Sequence, residues 1–125
     1  MKKEKLVVLI VDDNIHFVER MAGMLRKLEN IACINVASNY EEARILLDEQ
    51  RPDFVLLDIN MPGKNGIELL KRIKESGWDC EVIMISNHTD EFYRQQCREL
   101  GAKHFLDKSN DFGMVPEIIA RFSLN

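Results

Sequence analysis

Five times along this chain a short apolar run gives way to a stretch with helical spacing, and four of the five runs end on a residue that carries chemistry. Leu6-Val-Val-Leu-Ile-Val11 is continuous and rich in β-branched residues, the pattern of a strand covered on both faces. Ala32–Ala37, Phe54–Leu57, Val82–Ile85 and His104–Leu106 read the same way. Between them lie helical periods. Residues 15–28 place Ile15, Val18, Ala22 and Leu25 on one face. Ser38 or Asn39 caps a helix through Asp48 with Ala43, Leu46 and Leu47 inward, and Pro52 with Asp53 stops it. Asn65 caps a helix with Ile67, Leu70 and Ile73 inside and Gly77 at its end. Thr89 or Asp90 opens a polar helix ending at Leu100-Gly101, and Val115, Ile118, Ile119 and Phe122 mark a last one. Strand and helix in strict alternation predict an α/β fold, a parallel sheet with helices on both faces. In such an open sheet, ligands bind beyond the carboxyl ends of the strands.

The 125 residues suit one domain, 1–125, with one core, and 46% hydrophobic with 30% charged residues is the balance of an ordinary globular protein. A formal net charge of −4 leaves no footprint for direct nucleic-acid binding or for an anionic membrane, since both need clustered Lys and Arg. The apolar run behind Met1-Lys-Lys-Glu-Lys5 meets Asp12 and Asp13 too soon for a secretory leader, and no stretch is long enough for membrane insertion. Cys33, Cys80 and Cys97 are odd in number and scattered. They predict inert thiols in a reducing, cytoplasmic setting.

The strand ends carry the functional reading. The first strand runs into Asp12 and Asp13, the third into Asp58, the fourth into Ser86 and the fifth into Lys108. Each alone has an ordinary explanation: Asp after a strand is often a helix cap, Ser a loop hydroxyl and Lys a solvated charge. Together they assemble complementary chemistry on one rim. Neighbouring carboxylates repel unless a cation joins them. A hard cation with oxygen ligands does so, Mg²⁺ first and Mn²⁺ as a substitute on ligand type. A carboxylate is also a nucleophile toward phosphorus, and phosphoryl transfer asks mainly for positioning and charge neutralisation. Lys108 and the Ser86 hydroxyl can engage the equatorial oxygens.

These pieces, Val11-Asp12-Asp13, Asp58-Ile-Asn-Met-Pro-Gly-Lys-Asn-Gly66, Ser86 and Gly101-Ala-Lys-His-Phe-Leu-Asp-Lys108, make the chain resemble the receiver domain of two-component response regulators from Val7 to Phe122. The resemblance implies a flavodoxin-like, doubly wound five-stranded sheet of order 2-1-3-4-5. It implies Asp58 as the phosphoacceptor, Mg²⁺ bound by Asp13 and Asp58 directly, by Asp12 through water and by the Asn60 backbone carbonyl, and a phosphoryl grip made by Ser86 and Lys108. Ser86 and Phe105 would form the switch. Asn60, Asn87 and His88 would tune the lifetime of the phosphate, so exchanging His88 for Ala is expected to change the dephosphorylation rate. Met61-Pro62-Gly63 suits a tight turn beside the site.

The implied function is a phosphoryl-accepting signalling switch. Its partners would be a histidine kinase or histidine phosphotransfer protein and an unknown downstream protein, and its only catalysis its own phosphorylation and dephosphorylation, so it is no enzyme toward other substrates. A phosphorelay intermediate, or the receiver piece of a larger regulator, is the alternative. With no output segment after Phe122, output is expected to pass through a separate protein. A vestigial binding module is opposed by the full set of site residues, and a small phosphatase by the missing second Asp in Asp58-Ile-Asn60.

Three departures bear on readout. Asn87 stands where a small residue is frequent and can narrow access to Asp58. Lys108 precedes Ser109 rather than Pro, which leaves a cis or a trans bond open there. Phe105 lacks the hydroxyl of the commoner Tyr. Asp111-Phe112-Gly113 spells a kinase-like metal motif, but the Gly-rich and His-Arg-Asp loops are missing. Gly113 and Pro116 read instead as the delayed start of the last helix. The first helix carries a second stripe, Phe17, Met21, Met24 and Leu28, expected to pack on the last helix, with a partner-docking face as the alternative. Phe92, Cys97 and Leu100 are the expected anchors of the fourth helix.

Overall fold

A computed structural model describes residues 5–61, 65–87 and 91–122. Pro62, Gly63, His88, Thr89, Asp90 and the Phe122 side chain lie outside the described residues. The elements alternate as the apolar runs do: β1 (Leu6–Val11), α1 (Ile15–Leu25), β2 (Ile31–Ala37), α2 (Tyr40–Gln50), β3 (Phe54–Leu57), α3 (Gly66–Ser76), β4 (Glu81–Ser86), α4 (Glu91–Glu99), β5 (His104–Asp107) and α5 (Met114–Phe122). The strands form one parallel sheet in the order β2-β1-β3-β4-β5. Because every strand runs the same way, all five carboxyl ends share one rim.

Two apolar layers sandwich the sheet. Leu9, Val11, Val55, Leu57, Val82 and Met84 face α2, α3 and α4. Their alternates Val8, Ile10, Phe54, Leu56, Ile83 and Ile85 face α1 and α5. The period of two in a strand sends successive side chains to opposite layers, so a strand covered on both sides must be apolar throughout. β3 is buried at all four positions, which explains its uninterrupted Phe-Val-Leu-Leu.

Side-chain caps set the helix starts. Asn14 Oδ1 accepts from the amides of His16 and Phe17 at 3.1 and 3.2 Å. Of the two cap candidates for α2, Asn39 takes the role, accepting from the Glu42 amide at 2.9 Å, while Ser38 donates its amide and hydroxyl to Glu42 Oε1. Asn65 caps α3, and Gly77 ends it at φ 73°. α1 stops at Leu25 rather than Leu28, because Lys27 and Leu28 donate to carbonyls three residues back and tighten the last turn.

Two burial expectations are corrected. Ile15 is 64% exposed, whereas Phe17, Val18, Met21, Ala22 and Leu25 are buried. The inward face of α1 is thus turned toward the second stripe, and Phe17 and Met21 join Val115 and Ile119 of α5, as the packing reading expected. Phe92, in the first turn of α4, is 70% exposed, so Cys97 and the half-buried Tyr93 and Leu100 anchor that helix. Cys33 is exposed on the edge strand β2; only Cys80 and Cys97 are shielded, and burial pushes both thiols up to about 11, away from the reactive thiolate. No helix among the described residues is long and apolar enough to cross a membrane.

Candidate functional site

The parallel topology delivers the acidic pair, Asp58, Ser86 and Lys108 to neighbouring strand ends. β1 pairs with β3, Leu57 of β3 pairs with Met84, and Ser86 pairs with Asp107, so Asp12, Asp58, Ser86 and Lys108 leave four adjacent strands side by side. Backbone bonds cross the rim at three steps: the amides of Asp12, Asp58 and Lys108 donate to the carbonyls of Ala37, Val11 and Ser86. Asp12, Asp58 and Ser86 are buried, and Asp13 is exposed.

One carboxylate oxygen from each of Asp12, Asp13 and Asp58 lies within 4.8 Å of the other two. The Lys108 ammonium sits 2.7 Å from Asp12 Oδ2 and 3.5 Å from Asp58 Oδ2, with its side chain only 10% exposed. The other Asp12 oxygen accepts from the Asn14 amide at 2.9 Å, which fixes the carboxylate's orientation. Oδ2 itself has charge contact with Lys108 but no directed hydrogen bond. Three clustered carboxylates, two of them buried, with one ammonium against two of them, suit a cation with oxygen ligands better than they suit lysine alone. The donor set therefore fits Mg²⁺.

Burial and the Asp12 charge push the Asp58 carboxyl up to about 6, against the opposing pull of Lys108 and the Asn60 amide. Lys108 does not win because it is drawn closer to Asp12 than to Asp58. Near neutral pH Asp58 is mostly ionised, and an anion with so few donors is a stronger nucleophile than a solvated one.

The remaining predicted residues spread around this centre. Asn60 and Asn87 are exposed on the rim, flanking the buried Asp58 and Ser86. Phe105 is half-buried under α4, where the Arg94 guanidinium lies 4.9 Å from its ring centroid and donates to its carbonyl at 3.2 Å. No peptide bond among the described residues is cis, so Lys108–Ser109 is trans.

Three contributors escaped the sequence reading. Gly66 opens α3 where the chain folds back on the Asp58 peptide: its amide donates to the Ile59 carbonyl at 2.7 Å, and a Cβ there would lie 2.0 Å from the Asp58 carbonyl oxygen. A glycine just after an Asn cap, where a better helix former is usual, was the available signal. Asp107 and Asp111 brace the loop that carries Lys108. Asp107 Oδ1 accepts from the amides of Ser109 and Asn110, and Asp111 Oδ2 accepts from the Asp107 amide at 2.8 Å. Asp107-Lys-Ser-Asn110 is a turn signal by itself, since Asp bonds its own backbone two residues on. The third is Phe17, whose ring centroid lies 4.5 Å from the Lys108 ammonium.

Known proteins agree with this arrangement. The family model of the response regulator receiver domain matches residues 8–120. A protein-glutamate methylesterase/protein-glutamine glutaminase of Clostridium acetobutylicum is 36% identical over 107 residues, 84% of this chain and 31% of that protein. The transcriptional regulatory protein DegU of Brevibacillus brevis is 29% identical over 119 residues, 95% of this chain and 50% of that protein. The chain thus spans 31% and 50% of the length of these two curated relatives. Among solved structures, the CheX–CheY–BeF3–Mg²⁺ complex from Borrelia burgdorferi contains a chain that matches with a TM-score of 0.83 and 34% identity, covering 93% of this chain and 87% of that one. A signal receiver domain from Colwellia psychrerythraea matches with a TM-score of 0.89 and 26% identity, over 97% of this chain and all of that one. With five parallel strands in this order and a family match over nearly its whole length, the chain belongs to the response regulator receiver domain family.

Proposed function

We propose that Asp58 is the residue that accepts the phosphoryl group, from a phosphohistidine on a histidine kinase or histidine phosphotransfer protein in the cytoplasm. The observation that carries this reading is the buried Asp58 carboxylate grouped with two other carboxylates and one ammonium. One carboxylate oxygen of Asp58 attacks phosphorus in line with the phosphorus–nitrogen bond, and the imidazole leaves. Lys108 moves from Asp12 toward an equatorial oxygen, and the Ser86 hydroxyl meets another. Asp13 and Asp58 would hold Mg²⁺ directly, with Asp12 acting through water and Asn60 through its carbonyl. Bound there, the ion supplies charge neutralisation to the acids and to the incoming phosphoryl oxygens. Asn60, Asn87 and His88 are proposed to set how readily water reaches the acyl phosphate. Ser86 and Phe105 are proposed to carry the change to the α4–β5 surface, where a downstream protein would read it.

The test is incubation with Mg²⁺ and acetyl phosphate followed by intact mass. A gain of one phosphoryl group is expected, and no gain would overturn the reading. Relatives in which the matching segment makes up 31% or 50% of the length support a second reading, a receiver that belongs to a larger regulator.

Proton and metal compete for the same carboxylate. Asp58 holds a proton below about pH 6. Mg²⁺ is therefore expected to raise the melting temperature at pH 7.5 and to lose most of that effect at pH 5, as followed by thermal denaturation with and without the ion. An equal rise at both values would remove Asp58 from the ligand set.

A further inference from the structure

Lys108 has to hold its ammonium at a defined place on four rotatable bonds, and Lys, unlike Arg, has no rigid fork to help. Two of its contacts are carboxylates, Asp12 at 2.7 Å and Asp58 at 3.5 Å. Both are altered by the reaction assigned above: Asp58 loses its charge when one of its oxygens is bonded to phosphorus, and a metal ion draws on Asp12. The third contact is not consumed. The Lys108 ammonium stands 4.5 Å from the centroid of the Phe17 ring, within the range where the ring's quadrupole attracts a cation.

The ring is itself braced. Phe112 meets it edge-on at 5.5 Å and 83°, and the Arg20 guanidinium lies 4.6 Å from the Phe112 centroid. Two cations thus flank a pair of crossed rings, one facing the site and one facing outward. The segment that places the acids also places the ring: Asp12 accepts from the Asn14 amide, and Asn14 accepts from the Phe17 amide. Phe17, Phe112 and Lys108 themselves line an open hollow of about 410 Å³ together with His16, Arg20 and Ser109, which gives the lysine head room to move.

We propose that Phe17 is a positioning residue for phosphoryl binding, its ring face holding the Lys108 ammonium over the rim. The inference rests on the phosphoryl-acceptor reading of Asp58. It also gives Asp111-Phe112-Gly113 a role unrelated to metal binding, since Phe112 braces the ring.

The test separates the ring's electrostatics from its bulk. In metal-free wild type, the Lys108 ε-methylene protons should be shifted upfield by the Phe17 ring current, and Phe17→Leu should return them to ordinary positions. With Mg²⁺ present, Phe17→Leu should bind beryllofluoride, a phosphoryl mimic, about fivefold more weakly, and Phe17→Tyr should restore binding. Trifluorophenylalanine placed at position 17 alone keeps the ring and depletes its electron-rich face. It should weaken binding without lowering the melting temperature, and it decides the question if Phe17→Leu does not fold. Beryllofluoride affinity unchanged by the fluorinated ring would reduce Phe17 to core packing and overturn the proposal. An unshifted Lys108 in wild type would overturn it as well. Wild type that binds no beryllofluoride but shows the upfield Lys108 signal would instead count against the reading of Asp58, leaving the ring contact intact.

Discussion

Replacing Asp58 with Asn is expected to abolish phosphorylation by acetyl phosphate while making the metal-free protein more stable near neutral pH. The two effects have one cause. Burial and the Asp12 charge push the Asp58 carboxyl up to about 6, so the folded chain holds that proton more tightly than the unfolded chain, whose carboxyl titrates near 4. For a group raised in this way, the contribution to stability is complete below about pH 4 and is lost as pH climbs through about 6. At pH 7.5 the native state carries the whole penalty of an ionised, poorly solvated carboxylate, on the order of 2 kcal/mol. Asn matches Asp in shape, can still accept the Asn60 amide, and carries no charge. Its gain should therefore appear at pH 7.5 and vanish at pH 4, with intact mass reporting the loss of phosphorylation in the same preparation. An undiminished mass gain in Asp58→Asn would move the phosphoacceptor elsewhere. Equal melting temperatures at pH 7.5 would mean that the carboxylate is not strained by its surroundings.

Gly66→Ala should be the more damaging change, although it adds one methyl group eight residues along the chain from Asp58. The added Cβ would lie 2.0 Å from the Asp58 carbonyl oxygen and 2.9 Å from its carbon. The obstacle is backbone and cannot rotate away. Either α3 retreats and breaks the Gly66–Ile59 hydrogen bond, or the peptide after β3 is displaced and carries the Asp58 carboxylate off the rim. A loss of about 3 kcal/mol is expected, the upper end of what overpacking usually costs, with much weaker Mg²⁺ binding in whatever fraction folds. Denaturant unfolding and metal titration measure the two parts. Wild-type values in both would show that the approach of α3 to Asp58 is looser than described.

The strands and the chemical rim were legible because both are written locally. A strand buried on two sides must be an unbroken apolar run, and parallel strands put the residue after each run on the same edge; Asp12, Asp58, Ser86 and Lys108 follow from those two statements. Helix rotation was less legible. Ile15 and Phe17 fit a helical stripe equally well, and the choice between them depends on α5, a hundred residues away, whose Val115 and Ile119 offer the apolar surface that Phe17 and Met21 cover. Phe92 misled for a related reason: it has the composition of an anchor, but it stands in the first turn of α4 and is exposed there. The contacts that finish the site, Gly66 against the Asp58 carbonyl and Phe17 against Lys108, join segments whose meeting is decided only when the layers close. No local pattern announces them, although an out-of-place glycine at a helix start comes near.

Arg94 grips Phe105 twice, by a guanidinium 4.9 Å from its ring centroid and by a hydrogen bond of 3.2 Å to its carbonyl. Any inward swing of that ring has to release part of this hold, a cost of about 1 kcal/mol for contacts of these kinds. If Phe105 is the proposed switch, a grip of that size would work as a threshold: it would lower the resting share of swung-in molecules about fivefold, which is little beside the driving force of a new charged group on Asp58 and much beside thermal noise. Under the switch role proposed for Phe105, one arginine on a sparsely anchored helix would set how quiet the domain is when no signal has arrived.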